Sequence, residues 1–413
     1  MNKVFCLFLS IVLLGCTPTS SNREKSNLPI IDLEKEYPVK RIDIHEIAEV
    51  EYIPLETTEE SLLQVDVSIS SSDNYIIIFD ILQHKFFVFT HQGKYIRTID
   101  RFGPGPEEYY GVFHFDADFK KEELYVWDNI NYRIYVYGLD GSYKRKFQYP
   151  QTVKERFLFE SVANYDSDYL IAFNDTHWPS PIEKSRQEAD ATPFYLINKT
   201  DGSVQNINGR LRIDTPVHQI FQMIKGQNGY YTLAEEFNFP HMLKNGDECL
   251  LLNNALDTLY SYKNHTLIPI MLRTPSAKSM NPPRLIAPCV YTDTYFIFRV
   301  IPMNYEVGKK YDFDVRYAPS YILDRKSKEV FELRLYDSLF DSELELKDKR
   351  EVLTMFPTQE FVSMHSPNQA IGRYKPEPLL KKLEDGKLKG KLKEVASRLR
   401  EDDNNVVAVF KFK

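Results

Sequence analysis

The stretch YIIIFDILQHKFFVFTHQGKYIRTI, residues 75–99, decides the fold, because ELYVWDNINYRIYVYGLDGSYKRKF, residues 123–147, repeats it without a gap 48 residues later. Asp80 falls on Asp128, Val88 on Val136, Gly93 on Gly141, Tyr95 on Tyr143 and Arg97 on Arg145. Phe79 over Trp127, Lys85 over Arg133 and Phe87 over Tyr135 keep the residue type. Each copy holds three short aromatic and β-branched runs, Tyr75–Phe79, Phe86–Thr90 and Tyr95–Ile99 in the first. A polar turn joins the first two runs, and His91-Gln92-Gly93-Lys94 joins the last two, glycine supplying the positive φ such hairpins need. Three or four short antiparallel strands in a period of about 40–50 residues make a propeller blade. The roughly 3.6-residue periodicity of a helical solenoid is absent.

Between the copies lies Ile99-Asp100-Arg101-Phe102-Gly103-Pro104-Gly105-Pro106-Glu107-Glu108-Tyr109. This stretch resembles the Gly-Pro-Gly-Glu-Tyr element of the six-bladed β-propeller lipoproteins of Bacteroides-type bacteria, distant cousins of NHL-repeat propellers, with Pro106 as a departure. Tyr52-Ile53-Pro54-Leu55-Glu56-Thr57 and Glu401-Asp402-Asp403-Asn404-Asn405 agree with the same family. The resemblance implies an all-β chain, a six-bladed β-propeller of four-stranded antiparallel blades, to which residue spacing adds a C-terminal helical excursion before the closing strand. It implies a function only in outline.

Composition suits that fold. The chain has 413 residues with 27 Tyr and 27 Phe, enough aromatic surface for a large β core. A net charge of -7 with no basic block argues against a nucleic-acid partner. At the start, Lys3, the apolar run Val4–Leu14 and Leu13-Leu14-Gly15-Cys16 read as a lipoprotein signal peptide, residues 1–15, too short to span a bilayer by the usual count of about 20 residues. Cys16 is the expected lipidation site, and residues 16–35 the expected flexible tether before a propeller over 36–413. The first acidic residue after Cys16 is Glu24, which favours the periplasmic face of a membrane over the cell surface. Cys249 and Cys289 remain in the folded part, as a disulfide permitted by the compartment or as two strand thiols.

Val50–Leu55 is expected beside the final strand Val406–Phe412, completing the last blade, since an open ring leaves sheet edges exposed. Blade one then covers roughly 62–103 and blade two 108–150. Blade four is expected from Tyr230–Ala234, Cys249–Leu252 and Leu259–Tyr262. Blade six is expected to start near Glu360–Met364. From Pro376 to Asp403 the residues Leu388, Leu392, Val395 and Leu399 recur at helical spacing, with Gly386 and Gly390 interrupting any single helix.

No catalytic signature appears: no Gly-x-Ser-x-Gly elbow, no phosphate loop, no His-Glu-x-x-His. No cofactor and no metal ligand set is assigned, although a propeller gathers its channel from every blade, and a channel metal would make it a lyase or lactonase-type hydrolase. Two kinds of binding candidate stand out. The loop Arg101, Phe102, Gly103, Gly105, Glu107, Glu108 and Tyr109 either presents charge from a rigid path or only carries the chain between blades. Trp178, Tyr305, Tyr311 and Tyr317 sit in polar inserts, where aromatics contact sugars, peptides or proteins, or pack on a neighbouring blade. The expectation is therefore a non-enzymatic envelope lipoprotein. The membrane is reached through its N-terminal lipid, and the partner is a glycan, a peptide or an envelope protein. The alternatives are the metal-dependent propeller enzyme and a structural platform of an envelope complex.

Overall fold

The computed structural model describes residues 27–64, 66–128, 130–148, 159–174, 193–207, 211, 220–225, 231–237, 241–276, 279–280, 284–302, 319–344, 362–364 and 366–413. They form a six-bladed β-propeller. Blade one is Asp66–Ser71, Tyr75–Asp80, Lys85–Thr90 and Tyr95–Ile99, in that order from the channel outward. Blade two repeats it with Val112–Asp118, Glu123–Asp128, Arg133–Gly138 and Tyr143–Gln148. Blade three runs from Phe159–Asn164 to Val204–Asn206, blade four from Met242–Asn245 to Thr266–Thr274, and blade five from Arg284–Tyr291 to Val330–Asp337.

A blade stands radially, so both its faces meet neighbours and its strands read as nearly continuous apolar runs. Successive side chains still point to opposite faces. Ile77, Phe79, Phe86 and Val88 pack against blade two, whereas Ile76, Ile78, Phe87 and Phe89 pack against blade six. In blade two, Leu124 and Val126 face back to blade one, and Tyr125 and Trp127 face blade three. The buried apolar residues of the described chain fall into six clusters, one for each gap between adjacent blades. Six gaps close the circle.

Both chain ends build blade six. Val406–Phe412 lies between Gln369–Tyr374 and Ala48–Pro54, with Val407 opposite Ile53 and Phe412 opposite Ala48. The expected pairing of the N-terminal strand with the last strand is thus present. Asn404, 3 % exposed, clasps the join. Its Oδ1 accepts from Leu63 N at 2.9 Å, its Nδ2 donates to Glu56 O at 3.0 Å and Ser61 O at 2.9 Å, and its own N–H donates to Thr57 Oγ1 at 2.8 Å. The turns at Gly93 and Gly141 both have φ near +83°, and a Cβ on Gly93 would meet Pro54 O at 2.2 Å.

Three expectations need correction. The strand around Tyr230–Ala234 is not in blade four: Tyr231–Phe237 pairs with Ile220–Lys225 as a separate hairpin, and blade four begins at Met242–Asn245. An apolar alternating run meets the requirements of either position, so sequence pattern did not separate them. Near Glu360–Met364, the strand Val362–Met364 pairs in parallel with Asp66–Ser71 of blade one, and the antiparallel part of blade six starts at Gln369. The tether expected over 16–35 is shorter at its far end, because Ile30–Asp32 pairs in parallel with the outer strand of blade four. Val39–Asp43 does the same on blade five, so the N-terminal segment covers two outer edges that antiparallel blades leave open.

The helical stretch divides as its glycines require. A short helix, α1 (Ile44–Ile47), packs on blade six; α2 spans Pro376–Glu384 and α3 spans Gly390–Ala396. Gly386 and Gly390 take φ of +69° and +49° between them. Leu379, Leu388, Leu392 and Ala396 are buried against blades five and six, which makes these helices part of the core. Asn404→Ala is expected to lower the unfolding free energy by about 3 kcal/mol, because it orphans buried donors and acceptors on both sides of the join. Urea titration checks this against the exposed Glu401→Ala, for which less than about 0.5 kcal/mol is expected.

Candidate functional site

The loop from Arg101 to Tyr109 is built from the inside. Tyr109 is fully buried, and its hydroxyl donates to His84 O at 2.6 Å in blade one. The backbone closes on itself through Gly103 N to Tyr109 O and Tyr109 N to Arg101 O, both 3.0 Å. Glu108 Oε2 accepts from Gly105 N at 2.7 Å, and a Cβ on Gly103 or Gly105 would strike that carboxylate at 2.2 or 2.7 Å. The two glycines are required by the folded-back acid. Arg101 donates from Nε and a terminal nitrogen to Gly141 O at 3.2 and 2.9 Å, tying the loop to the last hairpin of blade two. Glu107 O accepts from Tyr137 Oη at 2.7 Å. Arg101, Gly103, Gly105, Glu108 and Tyr109 are therefore engaged in joining blades one and two. Phe102 and the Glu107 carboxylate face solvent.

Phe102 leads to a surface that sequence reading missed. Its ring, 39 % exposed, stacks on His84 at 4.3 Å between centroids and on Tyr110 at 5.5 Å. Tyr110 is 52 % exposed, and Ile130, 55 % exposed, lies against the neighbouring Gly111. Leu82 occupies the same tight turn as His84, and Gln83 Nε2 donates to Leu62 O at 2.9 Å, which brings Leu62 alongside. The result is an apolar ledge of exposed side chains along blades one and two, at the end that carries the blade-to-blade connection. Two of its members are repeat-equivalent: Leu82 and Ile130 sit 48 residues apart, each two residues after the turn aspartate. An aliphatic residue at both turn positions, where polar residues are the rule, was the available signal.

Those aspartates have a local task. Asp80 Oδ1 accepts from the N–H groups of Leu82 and Gln83 at 3.0 Å, and Asp128 Oδ1 from those of Ile130 and Asn131 at 3.0 and 2.9 Å. Their second oxygens accept from Gln64 N and Tyr110 N, the chain just before each inner strand.

At the other end of the inner strands, side chains link all the blades in sequence. Ser70 Oγ donates to Asp116 Oδ1 at 2.7 Å, and Asp116 Oδ2 accepts from Asn164 N at 2.6 Å. Lys199 Nζ, with a side chain 2 % exposed, donates to Asp118 Oδ2 at 2.7 Å and Asn164 Oδ1 at 2.5 Å. Lys244 of blade four donates to Asn164 O. Asn245 then bonds Asp293 and Asn368, Asn368 bonds Asp293 twice, and Ser366 Oγ donates to Asp73 Oδ1 at 2.9 Å, back in blade one. Burial holds the ammonium groups of Lys199 and Lys244 below the ordinary lysine range, Asp118 opposing this at Lys199. Burial alone presses His114 down to about 3, and His241, stacked on Phe173 at 3.7 Å, also to about 3.

Cys249 and Cys289 are separate thiols, pushed up by burial to about 12 and about 11. Among the described residues no group of three or more His, Cys, Asp or Glu side chains is arranged to hold a metal ion, and no helix is long and apolar enough to cross a membrane. Cys16, Trp178, Tyr305, Tyr311 and Tyr317 lie outside the described residues.

A family model described as a domain of unknown function, DUF4934, matches residues 28–272. No curated protein sequence matches the chain. Among solved structures, a protein of Bacteroides fragilis NCTC 9343 carrying an exported-protein designation superposes with a TM-score of 0.58 at 16% identity, over 93% of this chain and 99% of that one. A DUF4221-family protein of Bacteroides vulgatus gives a TM-score of 0.41 at 11% identity, over 72% and 86%. A protein of unknown function from Bacteroides thetaiotaomicron gives 0.40 at 10%, over 90% and 74%. The first of these likenesses bears out the propeller fold and goes no further.

Glu108→Ala is expected to cost about 1 kcal/mol by leaving Gly105 N–H without its carboxylate, with faster proteolysis near Pro104; Glu107→Ala is expected to stay within about 0.5 kcal/mol. The two buried imidazoles set a pH dependence. Their folded values lie below the roughly 6.5 of an unfolded histidine, so the unfolded chain binds the extra protons and stability falls as pH drops below that value. At pH 5 the loss is about 2 kcal/mol for each ring. Denaturant midpoints between pH 7 and 5 measure it, and His241→Gln should flatten the slope.

Proposed function

We propose a non-catalytic binding role in the bacterial envelope for this chain, which belongs to the family described as a domain of unknown function (DUF4934). The observation that carries the proposal is the apolar ledge of Leu62, Leu82, Phe102, Tyr110 and Ile130, five of the exposed large apolar side chains, all set at the turns of blades one and two. Exposed apolar side chains gathered at one place on a domain surface mark an interaction site. Its chemistry selects among partners. Phe102 is engaged by rings on both His84 and Tyr110, so little free aromatic face remains for sugar stacking, and three of the five side chains are aliphatic. A peptide or protein surface fits better than a glycan, and the chain acts as a scaffold for it.

The envelope location rests on Lys3, the apolar run Val4–Leu14 and Leu13-Leu14-Gly15-Cys16, with Cys16 as the acylated residue and a tether ending before Ile30. The exported designation of the B. fragilis protein agrees with this reading. The side facing the periplasm is preferred, because no acidic residue precedes Glu24 after Cys16.

Two experiments test these statements. Metabolic labelling with an alkyne fatty acid should mark the wild-type chain and leave Cys16→Ser unlabelled and released from the membrane fraction; equal labelling overturns the anchor. For the ledge, the full chain is screened against peptide and glycan arrays beside the variant Phe102→Ser/Tyr110→Ser/Ile130→Ser. A peptide ligand weakened at least about tenfold, with a melting temperature within about 2 °C of wild type, supports the role. Ligands bound equally by both proteins, or no ligand at all, would refute it.

A further inference from the structure

Where the ring closes, the chain leaves a concave surface that shares no residue with the ledge. Pro54–Thr57, the blade-one turn at Gly93 and the end of α3 with the segment after it line an open cleft of about 380 Å³, within the roughly 300–1,000 Å³ usual for small-ligand sites. Its apolar lining comes from Pro54, Leu55, Val395 and Leu399. Four charged residues also line it, and they differ in how they are occupied. Glu56 Oε2 accepts from Tyr95 N at 2.8 Å. Asp403 Oδ2 accepts from Arg400 N at 2.8 Å, and its Oδ1 meets the Arg400 guanidinium at 3.2 Å. Both acids are engaged in holding turns. Lys94 and Arg398 have exposed side chains, and among the described residues neither forms an ion pair or a side-chain hydrogen bond.

Lys94 and Arg398 are therefore the lining charges with no hydrogen-bonded side-chain partner among the described residues, next to an aliphatic floor. No aromatic ring lines it, which removes the stacking platform that sugars use. We propose that this cleft binds a short acidic peptide segment, an aliphatic side chain resting on Pro54 and Leu399 and a carboxylate meeting Lys94 and Arg398. The walls are well supported for such a task. Asn404 fixes the segment after Leu55 from one side, and Glu56 N donates to Gly93 O at 2.8 Å from the other. The Tyr52–Thr57 and Glu401–Asn405 stretches thus supply both a clasp and walls of the cleft.

The test uses the detergent-solubilised full chain and fluorescence anisotropy of a labelled Leu-Glu-Leu-Glu-Glu peptide, with Leu-Gln-Leu-Gln-Gln as its neutral counterpart. The acidic peptide should bind, more weakly at high salt, and the neutral one at least about tenfold less well. Lys94→Gln and Arg398→Gln should each weaken binding about threefold to fivefold, and the double variant at least about tenfold, at unchanged melting temperature. The ledge variant Phe102→Ser/Tyr110→Ser/Ile130→Ser should bind the acidic peptide like wild type, so failure of the ledge and failure of the cleft are read separately. No binding of the acidic peptide, equal binding of the neutral one, or an unaffected double variant overturns the proposal. Tighter binding of a labelled trigalacturonate, lost in the double variant, overturns the peptide assignment in favour of an acidic sugar.

Discussion

Everything in this molecule depends on closing the circle with the right number of blades. Apolar packing between blades supplies most of the stabilisation but is non-directional, and one aliphatic-aromatic gap resembles the next. Hydrogen bonds made by side chains are directional, and here they run from Ser70 through Asp116, the Asn164 backbone, Lys244, Asn245, Asp293 and Asn368, with Ser366 returning to Asp73. Each link joins the inner end of one blade to the next. A buried partner lost from such a chain leaves an unsatisfied group, which costs more than a neutral exchange of contacts. The circuit thus fixes each blade's position around the axis, while the six apolar clusters hold the blades together.

Most of this was legible where the chain repeats itself. Tyr75–Ile99 over Glu123–Phe147 revealed the blade, its two turns and its glycines, and the structure gives both copies the same first two strands, ending at Asp80 and Asp128 and then at Thr90 and Gly138, with positive φ at Gly93 and Gly141. Legibility faded where blades diverge. An alternating apolar strand near Tyr230 has the signature of a blade strand, and only the competition between hairpins decides which sheet it joins. The parallel additions at Ile30–Asp32 and Val39–Asp43 have no local signature, since they exist to cover edges made hundreds of residues later.

The candidate sites show the same division. The Arg101–Tyr109 loop was conspicuous because it is rich in glycine, proline and charge, yet most of those groups turn inward: Glu108 onto Gly105, Arg101 onto Gly141, Tyr109 onto His84. The surface available to a partner is made of what the loop does not use, Phe102, together with residues such as Leu82 and Ile130 that look unremarkable singly. Their meaning lies in occupying one repeat position twice and in adjoining the same ring stack. Asn404 was likewise quoted only as part of a motif, and its four hydrogen bonds appear only when residues 56–63 are brought beside it.

The placement of Val406–Phe412 between Gln369–Tyr374 and Ala48–Pro54 also sets an order of events in time. Blades one to three can assemble from contiguous sequence as the chain appears. The ring cannot shut until the last strand exists, because its central member is nearly the final segment made and its outer partner is among the first. Bringing residue 53 to residue 407 is a loop closure over most of the chain, the slow kind of step, and until it happens blades one and five each keep a bare apolar face. The sequence meets that interval from both ends: strands at Ile30 and Val39 already bind blades four and five, so the N-terminal partner waits in place for the closing strand.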